Sequence, residues 1–379
     1  MLENRNILVF ADDWGRYPST MQHIGKVLAE KNRIIWVGSL GIRKPKFSLA
    51  DIKRVFEKIR KIISGVNKTV SELAPVEEFY PFVIPYHDSK IIDKINAWLI
   101  SRSINRRLAK ACFEDYIVFT SFPVVDVFID KLDYKSLYYF CLDDYSEFEG
   151  AFDSLLDKEN KILSKVNAAF SVADVLVKSR MPLSGNSFFL PQGVNVEHFQ
   201  RQNIKSSEVK PKSIGYFGMI GEWFDIETIL EAARTYPDYK FEIIGKMTIE
   251  DTLLHTGKNI TVSEPVPYSE LPEKVAHFDV ALIPFLINEL TIAVNPLKLL
   301  EYFSMGMPVV SSAMPEVIKF KPNVYIGETK EEFVKLIQRA IDEDSEQKKS
   351  ERLLIAKKYS WNSIAEYVSG KVIETEQNY

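Results

Sequence analysis

Asn295-Pro-Leu-Lys-Leu-Leu-Glu-Tyr-Phe-Ser-Met-Gly-Met-Pro-Val-Val310 decides the reading of this 379-residue chain. Asn295 is a good N-cap residue, and Pro296 suits a first helical position, where a missing N–H removes nothing. Helix formers run from Leu297 to Phe303, and Gly306 with Pro308 ends the helix. Val309-Val-Ser-Ser312 then reads as a short buried strand. A helix that starts this way turns free N–H groups and its positive dipole end toward an anion. Lys298 lies in the first turn, where a cation is unfavourable unless a phosphate stands opposite it. Glu301 follows three residues later on the same face and can hold a ribose through its two hydroxyls. On these residues alone, the competing description is an amphipathic helix with an exposed Lys–Glu pair.

Upstream, Gly218-Met219-Ile-Gly-Glu-Trp-Phe-Asp225 follows an expected strand at Ser213–Phe217. Glycines at 218 and 221 let the backbone approach a ligand closely, and the helix that follows offers its N-terminus to phosphate. Trp223 reads as a packing residue, with base stacking as the other role. In the first half, Leu142-Asp143-Asp144-Tyr145 follows an expected strand at Ser136–Phe140, which puts two adjacent carboxylates at a strand's carboxyl end. Asp143 is a general-base candidate whose pKa its neighbour can tune. One of the two acids also suits the N-cap of a helix from Ser146. Asp12-Asp-Trp-Gly-Arg-Tyr-Pro-Ser-Thr-Met-Gln-His23 follows the first strand. Ser19 or Thr20 can cap the next helix, Gln22 and His23 fall in its first turn, and Arg16 can meet an anion. We read Arg16, Ser19, Gln22 and His23 as the acceptor side, with His23 more apt for hydrogen bonding than for base chemistry.

Both halves alternate strand and helix. Strands are expected at Ile7–Phe10, Arg33–Val37, Tyr116–Phe119, Ser136–Phe140 and Ala168–Val172, then at Ser213–Phe217, Phe241–Gly245, Ile260–Val262, Val280–Pro284 and Val309–Ser312. Helices are expected at Ser19–Asn32, Val124–Phe128, Leu155–Leu163 and Ile226–Thr235, from Tyr268 onward, and over Lys330–Asp344 and Ser350–Tyr367, with Trp361 as an anchor. This alternation implies parallel sheets with crossover helices, and ligands at the strands' carboxyl ends.

The stretch from Asn295 resembles the donor-binding segment of GT-B glycosyltransferases, in which Pro-x-Lys-x-x-Glu-Tyr-x-x-x-Gly-x-Pro-Val-Val recurs. The resemblance implies an α/β GT-B fold, two doubly wound Rossmann-like domains facing across a cleft. It also implies a sugar-nucleotide donor with its diphosphate near Lys298 and its ribose on Glu301. Pro191, Gly193, Val194, Asn195 and Phe199 match the family's interdomain segment. The implied division is residues 1–193 for the acceptor, 194–358 for the donor, and a last helix over 359–379 that packs back on the first domain. The donor set is then Gly218, Met219, Asn295, Pro296, Leu297, Lys298 and Glu301. Two departures matter. The retaining enzymes' glutamate eight residues before the ribose-binding one is Ala293 here, and the Gly218 loop lacks the Arg and Lys many of them carry there. The first favours the smaller, inverting relatives, and the Leu142–Tyr145 segment resembles that of the xanthan glucuronosyltransferase and the teichuronic acid glycosyltransferases. In those, an Asp after the strand equivalent to Ser136–Phe140 is implied as the base, and aligning Tyr139 selects Asp143 over Asp144.

The totals agree with such an enzyme. The length suits two domains, each able to bury a core. Hydrophobic content of 46% and charged content of 26% are ordinary for globular proteins. Cys112 and Cys141 lack metal-ligand spacing and read as buried thiols of a reducing cytoplasm. The polar Met1–Asn6 is not a signal peptide, and no apolar run approaches the ~20 residues of a spanning helix. Net charge is −4 but uneven. Arg43–Lys68 holds nine Lys or Arg against two acids, and Lys90–Lys110 six against Asp93 alone. Apolar residues are interleaved in both runs, which therefore read as basic amphipathic helices. They suit an anionic membrane better than nucleic acid, although such runs are usually solvated faces.

The expectation is a metal-independent hexosyltransferase with no cofactor. It would move a sugar, UDP-linked among the relatives, to a lipid-linked or polysaccharide acceptor in bacterial surface glycan synthesis, peripherally at the cytoplasmic face of the plasma membrane. A sugar-nucleotide epimerase or hydrolase of the same fold, and a non-catalytic GT-B scaffold subunit, are the competing readings.

Overall fold

The computed structural model describes residues 1–15, 18–38, 40–41, 76–144, 150–200, 211–249 and 253–378. Arg16, the basic run 43–68 and the expected helix start at Ser146 lie outside them. The chain divides into two compact units, Met1–Leu190 with Ile364–Tyr379, and Pro191–Ser363. The sequence reading drew these lines at 193/194 and 358/359.

The first unit holds β1 (Asn6–Phe10), β2 (Arg33–Val37), β3 (Val76–Phe79), β4 (Ile117–Thr120), β5 (Ser136–Cys141), β6 (Ala168–Ser171) and β7 (Ser187–Phe189). They form one sheet in the order β3-β2-β1-β4-β5-β6-β7, every pairing parallel. The runs Ile7-Leu-Val-Phe10 and Leu137-Tyr-Tyr-Phe-Cys141 are buried throughout, as strands covered on both faces must be. Helix α1 (Thr20–Leu28) lies so close to β2 that a Cβ on Gly25 would stand 2.7 Å from the Trp36 ring. Helices α2 (Lys90–Lys110), α3 (Leu155–Leu163) and α4 (Asp174–Ser184) follow.

The second unit holds β8 (Ser213–Phe217), β9 (Lys240–Ile244), β10 (Ile260–Ser263), β11 (Val280–Ile283), β12 (Val309–Ser312) and β13 (Tyr325–Gly327). Its sheet runs β10-β9-β8-β11-β12-β13, again all parallel. The strand order reverses between β8 and β11, so ligands are expected beyond the carboxyl ends of those two strands. Its longer helices are α5 (Ile226–Thr235), α6 (Leu297–Ser304), α7 (Lys330–Asp342), α8 (Glu346–Lys358) and α9 (Trp361–Gln377), α9 running on into the first unit; shorter ones lie at Val196–Phe199, Leu271–Val275, Glu289–Ile292 and Pro315–Ile318.

Several expectations need correction. The helix expected over Ser350–Tyr367 is divided between α8 and α9, and α9 falls within the 359–379 given to the last helix. The backbone of 359–361 turns aside to pair with Val194, which donates to the Tyr359 carbonyl at 2.9 Å and accepts from Trp361 N–H at 3.3 Å. Trp361 is buried under Gly193, where a Cβ would stand 2.4 Å from its ring. Val124–Phe128 is a 3₁₀ turn over Pro123–Val127. Phe188 and Phe189, just before the matched interdomain segment, belong to edge strand β7. Cys141 is buried as expected, but Cys112 is exposed, because it sits just past the end of α2 in a left-handed turn with φ of 48°.

Candidate functional site

The site in the second unit is built where β8 and β11 part. Gly218 ends β8 with φ of +133°, a conformation that favours glycine. A side chain there would also crowd Lys298 Cε at 3.0 Å and the Tyr216 hydroxyl at 3.1 Å. Tyr216 donates to the Met219 carbonyl at 2.8 Å, so the strand itself holds the loop, and Met219 is left exposed. Gly221 serves a different purpose from the one its spacing suggested. Its missing Cβ makes room for the half-buried Trp223 ring, 2.6 Å away, so Trp223 packs.

Two helix starts face this region, and they differ. At α5 the Asp225 carboxylate accepts from Thr228 N–H at 3.0 Å and from the Thr228 hydroxyl at 2.5 Å. That end already holds an anion, so the expectation that it offers itself to phosphate is withdrawn. At α6 the cap is Pro296, which has no side-chain oxygen to give. The helix therefore begins at Leu297, one residue later than the sequence placed it, and Asn295 is not its cap. Its first turn carries no acid, so its free N–H groups and dipole remain directed outward.

Lys298 leans from that first turn back over the sheet. Its ammonium lies 5.4 Å from the Tyr216 ring centre and 5.1 Å from that of Phe285, two residues past the end of β11. One ring lies in β8 and the other just beyond β11, the two strands that part, so the cation stands at the switch point. Lys298 is half-buried, and among the described residues it has no hydrogen-bond or ion-pair partner. Desolvation pushes its amine down to about 8, against the pull of Glu301. Desolvation likewise raises the Glu301 carboxyl to about 7, partly offset by Lys298. Burial and the nearby Glu301 push the Tyr268 hydroxyl up as well. His198, whose ring stacks 4.4 Å from that of Tyr268, donates from Nε2 to the Tyr268 carbonyl at 2.8 Å. Tyr302 accepts from Phe217 N–H at 3.1 Å and fixes α6 to β8. At the other end Gly306, with φ of +73°, closes the helix, and buried Arg352 donates twice to its carbonyl at 2.9 and 2.7 Å.

In the first unit Asp143 and Asp144 follow β5 and are both half-buried. The structure separates their surroundings. Asp144 stands 3.5 Å from the Arg180 guanidinium, which also binds Glu159 at 2.7 Å. Glu159 in turn accepts from the Tyr139 hydroxyl at 2.8 Å. This buried network ties Asp144 to α3 and α4. The carbonyl of Asp143 accepts from the Cys141 thiol at 3.6 Å, which steadies the turn. Burial and Glu159 raise that thiol's pKa well above the usual value.

Ser19 and Gln22, read from sequence as acceptor contacts, are engaged within their own loop. Ser19 donates to the Asp12 carboxylate at 2.8 Å and accepts from Gln22 N–H at 3.3 Å. The Gln22 amide donates to Asp12 and to the Asp13 carbonyl, and accepts from Gly15 N–H at 2.8 Å. Desolvation raises the Asp12 carboxyl despite these bonds. They shape the loop after β1, with His23 half-buried in the next turn. Tyr216, Gly245, Tyr268 and Phe285 were not singled out from sequence, and only the glycine at the end of β9 carried a readable signal. Among the described residues no cluster of His, Cys, Asp and Glu is placed to hold a metal ion.

Comparison with known proteins matches this geometry to a family. The model of group 1 glycosyl transferases matches residues 211–343, the part of the chain that contains Gly218, Lys298 and Glu301. A Bacillus subtilis (strain 168) protein assigned to teichuronic acid biosynthesis as a glycosyltransferase, TuaH, is 28% identical over 160 residues. That match spans 40% of this chain and 40% of the relative. Sucrose-phosphate synthase from Thermosynechococcus elongatus superposes with a TM-score of 0.69 at 13% identity, over 99% of this chain and 100% of that one. HepE of Anabaena, solved in complex with UDP-glucose, gives 0.67 at 11% identity over 97% and 99%. Two all-parallel α/β units with these likenesses give the chain the GT-B fold, and the match to the group 1 glycosyl transferases covers residues 211–343.

Proposed function

We propose that the protein is a glycosyltransferase that moves a sugar from a UDP-linked donor to a lipid-linked saccharide in bacterial surface glycan synthesis, with inversion and without a metal. The observation that carries this reading is the Lys298 ammonium, desolvated, without an ion-pair partner among the described residues, beside the uncapped start of α6. A cation held in that state is stabilised by an arriving diphosphate, and the same charges oppose the negative charge that develops on the leaving group. Glu301, one turn along, takes the ribose hydroxyls. The HepE complex with UDP-glucose and the teichuronic acid assignment of TuaH support the donor and the pathway class.

In the transfer, the Asp143 carboxylate takes the proton of an acceptor hydroxyl. That oxygen bonds to the anomeric carbon as the bond to the diphosphate breaks, and the nucleoside diphosphate leaves. Asp143 is taken over Asp144 because aligning Tyr139 with the strand of the inverting relatives selects it; Asp144 stands 3.5 Å from the Arg180 guanidinium. Cytoplasmic, peripheral placement at the membrane follows from a lipid-linked acceptor and from the basic runs 43–68 and 90–110. Among the described residues no helix is long and apolar enough to cross a membrane.

A thermal-shift screen of nucleoside diphosphates and sugar nucleotides tests the reading, repeated on Lys298→Ala. Ligand at about 100 times its Kd adds ~2.7 kcal/mol of stability. A uridine nucleotide should shift the wild type and not the variant. Absence of a shift with every nucleotide would overturn the donor site.

A further inference from the structure

We infer that the exposed face of α2 is a docking surface for an anionic phospholipid bilayer. Ile91, Ile95 and Trp98 would enter the headgroup region, and Arg102, Arg106 and Lys110 would meet lipid phosphates. This deepens the membrane placement proposed above and names the element that carries it.

The sequence pattern suggested an amphipathic helix, but the structure shows one that is apolar on two opposite sides. Ala97, Ile100, Ile104 and Leu108 face the core and are buried. Ile91, Ile95 and Trp98 lie on the other side and are 72%, 42% and 59% exposed. With Arg102 and Arg106 they recur at helical spacing, so they share one stripe. A helix facing only water carries polar residues there. Phe82, 56% exposed, comes from the segment before α2 and lines a groove of about 410 Å³ with Trp98, Arg102, Arg106 and Lys110.

The charges sort in the same way. Lys90, Lys94, Arg102, Arg106 and Lys110 are exposed. The one carboxylate of the helix, Asp93, points to the opposite side and is bound by Lys158 at 2.8 Å. Arg107 turns inward and pairs with Glu77. The exposed stripe is thus cationic and apolar, with no acid of its own. The Arg102 guanidinium stands 5.8 Å from the Trp98 ring centre, which puts an indole beside a cation as headgroup-level anchors do. An acidic soluble partner would meet the cations but leave three apolar side chains without a medium. An anionic bilayer meets both needs.

The test uses the full chain and vesicles of phosphatidylcholine with or without phosphatidylglycerol, their acyl chains brominated to quench any indole that enters. The wild type should bind the phosphatidylglycerol vesicles, release with salt, and lose fluorescence on binding. Trp98→Phe should still bind but lose most of that quenching. Arg102→Gln with Arg106→Gln should weaken partitioning by roughly fivefold per cation. Unchanged quenching in Trp98→Phe, equal binding to both vesicles, or no binding at all would each overturn the inference. The nucleotide thermal shift, run on the same samples, separates the two readings, because a retained shift without vesicle binding removes the docking surface and leaves the donor site standing.

Discussion

A Cβ on Gly245 would stand 1.8 Å from the carbonyl oxygen of Gly218, so the ends of β9 and β8 touch backbone to backbone beneath Lys298. Gly218 N–H donates to the Ile244 carbonyl at 2.9 Å, and Gly245 N–H to that of Ser263 at 2.9 Å, which leaves neither chain free to retreat. Gly245→Ala must therefore push the Gly218 loop toward the place where the diphosphate is proposed to bind. We expect a loss of about 1–3 kcal/mol in urea unfolding, the usual cost of overpacking, and a weakened nucleotide thermal shift. A variant with wild-type nucleotide affinity would mean that the loop tolerates displacement.

Lys298 and Glu301 set a pH signature. The folded Glu301 pKa is raised from 4.5 to about 7, so between these values the folded state keeps a proton that the unfolded chain has released, and stability falls as pH rises. The folded Lys298 pKa is lowered from 10.5 to about 8, so between 8 and 10.5 the unfolded chain holds the extra proton and stability rises with pH. The pair should cost the ligand-free protein most between about pH 7 and 8. Urea midpoints across this range should show that dip, and Lys298→Met with Glu301→Gln should flatten it.

The same desolvation predicts how nucleotide binding depends on pH. A diphosphate restores the charge on Lys298, so above about pH 8 binding must take up a proton, and affinity should fall as pH rises further. Calorimetry in buffers of different ionisation heat would read that uptake directly. Binding that is indifferent to pH between 7 and 9.5 would place the diphosphate away from Lys298.

Much of this was legible in the residues, and the reasons are local. Strands such as Leu137–Cys141 and Val280–Ile283 are apolar throughout because both faces of a parallel sheet are covered, so their composition announces them. Edge strands β3, β7 and β13 lack that signature. Val76-Glu-Glu-Phe79 sets two adjacent carboxylates between core residues, and β7 and β13 are three residues long. The Lys298–Glu301 spacing is written in one helix and could be read as such. Tyr216 and Phe285 reach Lys298, and Gly245 reaches Gly218, only through the β9-β8-β11 strand order, which no local pattern encodes. The two apolar sides of α2 were equally hidden, since sequence spacing gives a face but not which face the core takes.

Arg180 is expected to matter for the stability of the first unit. Its side chain and that of Glu159 are 9% and 5% exposed, and they pair at 2.7 Å. Arg180→Met leaves the Glu159 charge buried and without its cation, which costs about 3–5 kcal/mol. Adding Glu159→Gln should recover a large part of that loss, because a neutral amide can still accept from the Tyr139 hydroxyl. Urea unfolding of the three variants checks this, and a double variant no better than the single one would mean the Arg180 stem, not its charge, is what the core needs.

Asp143 and Asp144 are adjacent, and their environments predict opposite responses to the same change. Asp143→Asn removes the proposed base while keeping shape, so transfer should fall by at least 10²-fold, the lower end of a general base's contribution. The nucleotide thermal shift should persist, since the donor groups are in the other unit. Asp144→Asn removes the longer of the two Arg180 contacts, at 3.5 Å, while Glu159 keeps the cation paired. It should lower stability by about 1 kcal/mol or less and leave turnover within a fewfold of wild type. Steady-state transfer measured beside urea unfolding separates the two acids. If Asp144→Asn instead abolishes transfer and Asp143→Asn does not, the base is Asp144, and the Arg180 contact becomes part of how that carboxylate is held for the reaction.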